Sequence, residues 1–216
     1  MMLQSAMKPF PHFLKLLPIL VLVLFSTGCV GRFGPAYGYA SPGDALPDNA
    51  PVLLPANAPS IAQGYLPDEG HEGIDIMAAK GTPVIAAAPG IVLESRHEWL
   101  YGNRIIISHG VDKNGSEVRT RYLHLLQRHV ETGDQVVRGQ PIGSLGSTGL
   151  LASYPHLHFE VRLAEQPGQD KSHTTNPHLY WADGPGHITC FDPGVQVPAP
   201  ELITYPLHCS SAIEGE

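Results

Sequence analysis

Short apolar runs separated by glycine, proline and other turn formers fill the stretch from about Ser60 to Tyr180, a pattern of strands rather than of long helices. Residues 83–88 and 90–94 read as strand, turn, strand, and residues 104–109 (Arg-Ile-Ile-Ile-Ser-His) as a buried strand ended by Gly110. Asp112-Lys113-Asn114-Gly115 is a turn signal, and it opens onto a strand over 117–125. Residues 126–130 suit a helical turn. Further strands are expected over 135–137, 141–145 and 156–163, with Gly139 and Gly143 at bends. There is no internal repeat and no long amphipathic helix. The expected fold is mainly β, a single domain over 61–180 built on an antiparallel sheet.

The N-terminal pattern is different. Residues 16–25 are an almost unbroken apolar run preceded by Lys8 and Lys15. The run is shorter than the roughly 20 residues of a membrane-spanning helix and suits the apolar region of a secretory signal. Ser26-Thr27-Gly28-Cys29 follows at once and resembles a bacterial lipobox, although Ser26 stands where leucine is usual. That resemblance implies a signal over 1–28, lipidation of Cys29 and a membrane anchor. The alternative is cleavage near Ala40 and secretion. Val30, in place of an aspartate, implies the periplasmic face of the outer membrane. Residues 29–60 carry prolines at 35, 42, 47, 51, 55 and 59 and read as a tether.

Composition sharpens this picture. The chain has 216 residues, 43% of them apolar, enough for one real core, and its 23 glycines and 21 prolines favour turns and short strands. Loss of residues 1–28 removes two lysines and no acids, which moves the net charge from −7 to −9. So acidic a protein lacks the cations that neutralise phosphates, and nucleic acid is excluded as a partner. With Cys29 lipidated, Cys190 and Cys209 remain in an oxidising compartment, where a disulfide would staple a tail over 181–216; two free thiols are the alternative. Twelve histidines raise the expectation of metal chemistry.

The histidines fall into a pattern. His71 and Asp75 are four residues apart, an even spacing that puts both on one face of an extended segment. In Pro155-His156-Leu157-His158-Phe159-Glu160-Val161 the polar and apolar residues alternate strictly. His156, His158 and Glu160 therefore share one strand face, while Leu157, Phe159 and Val161 share the other. Imidazoles backed by apolar packing suit a rigid metal site, and His and Asp donors suit zinc. In residues 120–125, Thr120, Tyr122 and His124 share a face, with Leu123 and Leu125 packed inward, which directs His124 to the same cleft. The segment His71-Glu72-Gly73-Ile74-Asp75 is not the His-Glu-x-x-His helix of other zinc proteases, because Asp occupies the fifth position.

In order and spacing, His71-Glu-Gly-Ile-Asp75, Tyr122-Leu-His124-Leu and His156-Leu-His158-Phe resemble the motifs of the lysostaphin-like (LytM-type) zinc metallopeptidases. Residues 81–90, 102–110 and 139–149, and Asn176-Pro177, fit the same pattern, so the resemblance spans about 61–180. It implies one zinc per chain bound by His71, Asp75 and His158, with His124 and His156 as non-ligand histidines that orient the attacking water and stabilise the oxyanion. It also implies a substrate, the stem or cross-bridge peptides of peptidoglycan, and a metal-assisted endopeptidase reaction. A scaffold that activates a cell-wall amidase is the alternative. Residues 150–155 and the tail depart from the family's pattern. Of the remaining histidines, His109 is expected to be structural, and His97, His129, His173, His178, His187 and His208 to lie on the surface or in loops. Glu160 is expected at a solvent-exposed strand end, and Arg121 either at an anionic substrate or on the surface.

Overall fold

The structure is a computed structural model that describes residues 52–210. The expected signal segment, the expected lipidation site Cys29 and the first part of the expected tether lie outside the described residues. Eleven strands were found among those described: β1 (Ile61–Gln63), β2 (Ile74–Ile76), β3 (Pro83–Ile85), β4 (Gly90–Glu98), β5 (Gly102–Val111), β6 (Glu117–Leu125), β7 (Gln127–Arg128), β8 (Gln135–Val136), β9 (Pro141–Ser144), β10 (Leu157–Ala164) and β11 (His173–Thr175). The main sheet runs β1-β2-β10-β6-β5-β4-β8, with β11 on β10, and a smaller sheet runs β3-β9-β7. Every ladder is antiparallel, as the strand pattern predicts. Among the described residues no helix is long and apolar enough to cross a membrane.

The helical turn expected at 126–130 is instead β7, because Gln127 and Arg128 pair with Ser144 and Gly143 of β9. The folded body also exceeds 61–180 in both directions. Val52 is buried, and Leu53 exchanges backbone hydrogen bonds with Gly186 and Ile188, so the described end of the expected tether is packed against the C-terminal segment. That segment is no loose tail. Trp181, Ile203, Tyr205 and Leu207 are fully buried, and the Trp181 ring lies 6.5 Å from Phe159 of β10 and 6.0 Å from Tyr205. Arg138 donates to the carbonyls of Ala87 and Leu202, and Cys190 is disulfide-bonded to Cys209. The sequence between these anchors is rich in proline and lacks a period, which hides its packing role.

Two histidines belong to this core. His109, expected to be structural, makes ring contacts with the Pro89 carbonyl at 2.8 Å and Thr120 Oγ1 at 2.7 Å. His178, expected in a surface loop, is buried instead, where its Nδ1 accepts from Trp181 Nε1 at 3.0 Å. Burial pushes both imidazoles down to about 4. Unfolded, each takes up its proton near pH 6.5, so between 6.5 and 4 the unfolded chain binds more protons and stability falls as pH falls. The loss is worth roughly 3 kcal/mol per residue and is complete near pH 4. Urea unfolding at pH 7 and pH 4.5 is expected to show a drop of several kcal/mol, and His178→Gln a shallower one. Equal stability at the two pH values would contradict the assignment.

Candidate metal centre and its histidine cleft

Register builds the site. β10 lies between β2 and β6, and His158 is paired directly with Asp75 on one side and with Leu123 on the other. Cross-strand partners share a face, so Asp75 and His158 meet there, with His158 Nδ1 2.8 Å from Asp75 Oδ1. His71 reaches the same carboxylate by another route than the extended segment expected from its spacing. It precedes β2, across a bend at Gly73, and its Nε2 lies 3.1 Å from Asp75 Oδ1. Ligand atoms of His71, Asp75 and His158 lie within 4.8 Å of one another, and all three residues are buried.

The donors are oriented from outside. His71 Nδ1–H donates to the Gly64 carbonyl at 2.5 Å, which leaves the Nε2 lone pair facing Asp75. Burial alone would raise the Asp75 carboxyl. The adjoining imidazoles of His158, His71 and His156 outweigh it and hold the group well below the usual carboxylate range. His71 Nε2 and Asp75 Oδ2 are buried with no hydrogen-bond partner. Buried polar atoms of this kind are rarely left unmatched, and two of them facing inward from one cluster fit a cation as their partner.

His124 arrives in the cleft by a route the alternation does not give. Thr120 and Tyr122 face the core: Tyr122 is fully buried, its ring lies 5.4 Å from that of Phe159, and its hydroxyl accepts from Ala87 N–H. Strict alternation would send His124 to the same side. Between Tyr122 and Leu125, however, β6 carries one residue more than β5, where Ile105 pairs with Tyr122 and Asn103 with Leu125. This bulge holds His124 at φ 62°, a left-handed conformation unusual for a residue with a Cβ. The ring is thereby re-aimed, its centroid 4.8 Å from that of His156 and 6.2 Å from that of His158.

Two loops fix the result. Tyr101, between β4 and β5, accepts from His124 N–H, and the Thr148 carbonyl accepts from His124 Nδ1–H at 2.9 Å. Gly149 permits this approach, since a Cβ there would lie 2.3 Å from Gly102 N. Further along the same loop, the Tyr154 carbonyl accepts from His156 Nδ1–H at 2.8 Å, and the Tyr154 ring lies 4.6 Å from that of His156. Both imidazoles thus present Nε2. His124 Nε2 is buried without a hydrogen-bond partner, and His156 Nε2 is 3.7 Å from Asp75 Oδ1. Thr148, Tyr154 and Tyr101 were missed in the sequence because they act through backbone carbonyls, to which residue type gives no clue.

Glu160 and Arg121 differ from expectation. Glu160 is buried, not solvent-exposed, and is paired across the ladder with Arg121. Arg121 is half-buried and not free on the surface; its guanidinium reaches Glu160 at 3.3 Å and lies over the Tyr101 ring at 4.9 Å. Burial pushes the Glu160 carboxyl up, but the His158 hydrogen bond and the charges of Arg121 and Arg162 prevail and hold it at about 2. His97, His129, His173, His187 and His208 are exposed, as expected.

Residues 69–177 match the sequence profile described as Peptidase family M23. Over 92 residues the chain is 42% identical to peptidoglycan DD-endopeptidase ShyC of Vibrio cholerae, a match that covers 43% of this chain and 20% of ShyC. Identity is also 42% over 97 residues to DD-carboxypeptidase/endopeptidase Mpg of Neisseria meningitidis, covering 45% of this chain and 21% of Mpg. The chain thus spans about a fifth of the length of these relatives. Among solved structures, the catalytic domain of the antimicrobial peptidase lysostaphin from Staphylococcus simulans is 32% identical, with 55% of this chain and 89% of that one covered and a TM-score of 0.46. The profile takes in His71, Asp75, His124, His156 and His158 together, and the chain belongs to peptidase family M23, the lysostaphin-like family.

Proposed function

We propose that this chain is a zinc-dependent endopeptidase that hydrolyses peptide bonds in peptidoglycan. The observation that carries the reading is the buried His71-Asp75-His158 cluster with two further imidazoles turned toward it. Two histidines and a carboxylate are a donor set suited to catalytic zinc, which keeps a position open for substrate. Zinc, when bound, supplies Lewis acidity toward the scissile carbonyl and makes water nucleophilic near neutral pH.

The remaining work falls to the protein. His71, Asp75 and His158 hold the ion. His124 and His156, each fixed by an Nδ1–H bond to a carbonyl, present Nε2. A neutral ring takes the proton of the attacking water, and a protonated one donates to the developing oxyanion and returns a proton to the leaving amine. The two rings are close enough to divide these duties over one cleft. A wall substrate is supported by ShyC, which is named as a peptidoglycan DD-endopeptidase, and by Mpg, which is named as a DD-carboxypeptidase/endopeptidase.

The test is zinc content and muropeptide release by the purified chain on isolated peptidoglycan, with and without a chelator. About one zinc per chain and chelator-sensitive release of cleaved cross-links are expected. Zinc without release would favour the scaffold reading, and no zinc would overturn the metal assignment. An envelope location through lipid on Cys29 belongs to the same proposal. Cys29→Ala is expected to move the protein from the membrane fraction to the soluble one, and an unchanged distribution would sink the anchor.

A further inference from the structure

Glu160 has no part in the reaction outlined above, yet it is among the most completely buried carboxylates of the chain. Withdrawing a carboxylate from water costs several kcal/mol unless partners replace the solvent, and here the partners converge from three directions. Arg162 Nη1 donates to Oε2 at 2.7 Å and is itself pinned by a bond from Arg162 Nε to Ser172 Oγ at 3.0 Å. Arg121 Nη1 reaches both oxygens, at 3.3 and 3.4 Å, from β6. The third partner is the ligand histidine: His158 Nε2 lies 3.3 Å from Oε1. The His158 ring is thus held between two carboxylates, Asp75 at Nδ1 and Glu160 at Nε2.

Position 73 supports the same arrangement. A Cβ on Gly73 would fall 2.5 Å from Phe159 O, 2.8 Å from His158 Nε2 and 3.1 Å from Glu160 Cγ. The backbone before β2 therefore runs directly against the His158–Glu160 contact, and only a residue without a side chain leaves room for it.

We propose that Glu160 is a positioning residue for the metal centre: its carboxylate accepts from His158 Nε2–H, which fixes the tautomer whose Nδ1 lone pair faces Asp75 and the ion. The inference rests on the zinc reading above. Arg121 and Arg162 keep the carboxylate ionised and in place, so that it orients the ring and raises the basicity of Nδ1, as carboxylates behind metal-binding histidines do. Arg121 also lies over the ring of Tyr101, whose carbonyl holds His124. The support of the ligand and the support of the cleft histidine meet at that contact.

The test is the zinc dissociation constant of the full chain and of Glu160→Gln, by competition with a fluorescent chelator at a temperature where circular dichroism shows both folded. Glutamine keeps the shape, but it cannot accept from His158 and from two arginines with one carbonyl. The variant is expected to bind zinc ten- to a hundredfold more weakly, and its cobalt-loaded form to show a shifted ligand-field spectrum. A purely structural role would lower the melting temperature and leave both readouts unmoved. Equal affinity with an unchanged spectrum overturns the proposal and leaves the zinc reading intact. Failure of the unaltered chain to bind zinc overturns both. If Glu160→Gln does not fold, Glu160→Asp keeps the charge for the arginines but draws it back from His158. Weaker binding is again expected, and wild-type affinity again overturns the proposal.

Discussion

Asp75→Asn is expected to abolish zinc retention while the chain stays folded. The Asp75 carboxylate is the point on which the imidazoles of the site converge: His158 Nδ1 is 2.8 Å away, His71 Nε2 3.1 Å and His156 Nε2 3.7 Å, all measured to the same oxygen. Asparagine fills the same volume and removes the charge that gathers these imidazoles around a dication. It also introduces an amide NH2, which can donate to an imidazole lone pair that the ion would otherwise take. Loss of a direct ligand should exceed the roughly hundredfold weakening caused by loss of a supporting residue, so the ranking Asp75→Asn far below Glu160→Gln is part of the expectation. Zinc content after gel filtration, with chelator competition for the dissociation constants, checks it. A stoichiometric zinc in Asp75→Asn would place the ion elsewhere and overturn the ligand assignment. Circular dichroism separates a missing metal from a missing fold.

The parts of this site differ in how legible they were. β10 could be read directly, because alternation of His156, His158 and Glu160 with Leu157, Phe159 and Val161 has one structural solution in a sheet packed on one side. The choice of His71, Asp75 and His158 as ligands came from the family resemblance, because alternation puts His156 and His158 on one face without distinguishing them. Glu160 was placed on the right face and given the wrong environment. Its burial depends on Arg121 standing opposite on β6 and on Arg162 two residues along, and cross-strand register is invisible before the sheet is assembled. His178 is a similar case, since burial of its ring depends on a tryptophan three residues away and on a C-terminal segment whose packing no period announces. For His124 the expectation reached the right cleft by the wrong path. Alternation put it with Thr120 and Tyr122, which face the core, and only the bulge between Tyr122 and Leu125 reverses its side chain. A bulge that carries no glycine has no mark in the sequence. Local rules fail where a residue is held in a costly conformation, and such positions are where function is to be sought.

That conformation also determines how His124 should be tested. Its φ of 62° costs about 1–3 kcal/mol for a residue with a Cβ, and removing the side chain for alanine would mix backbone relief with loss of the imidazole. Asparagine tolerates the left-handed region better than most residues and lacks a group that titrates near neutrality. His124→Asn is therefore the cleaner substitution. It is expected to keep zinc at the wild-type dissociation constant, because the proposed ligands are His71, Asp75 and His158 and the His124 ring stands 6.2 Å from that of His158. Turnover is expected to fall by roughly 100- to 10,000-fold, the range for loss of a positioned proton-transfer group. The defect should lie in kcat more than in KM, since Nε2 of His124 acts on charge that develops in the transition state. His156→Asn should show a loss in the same range, and the double variant little more than either alone, since rings 4.8 Å apart over one cleft act as a unit. Loss of zinc from His124→Asn with retention in His158→Ala would reverse the roles assigned to the two residues. Wild-type turnover in His124→Asn would leave the bulge, the Tyr101 carbonyl and the Thr148 carbonyl holding in place a histidine that the reaction does not use.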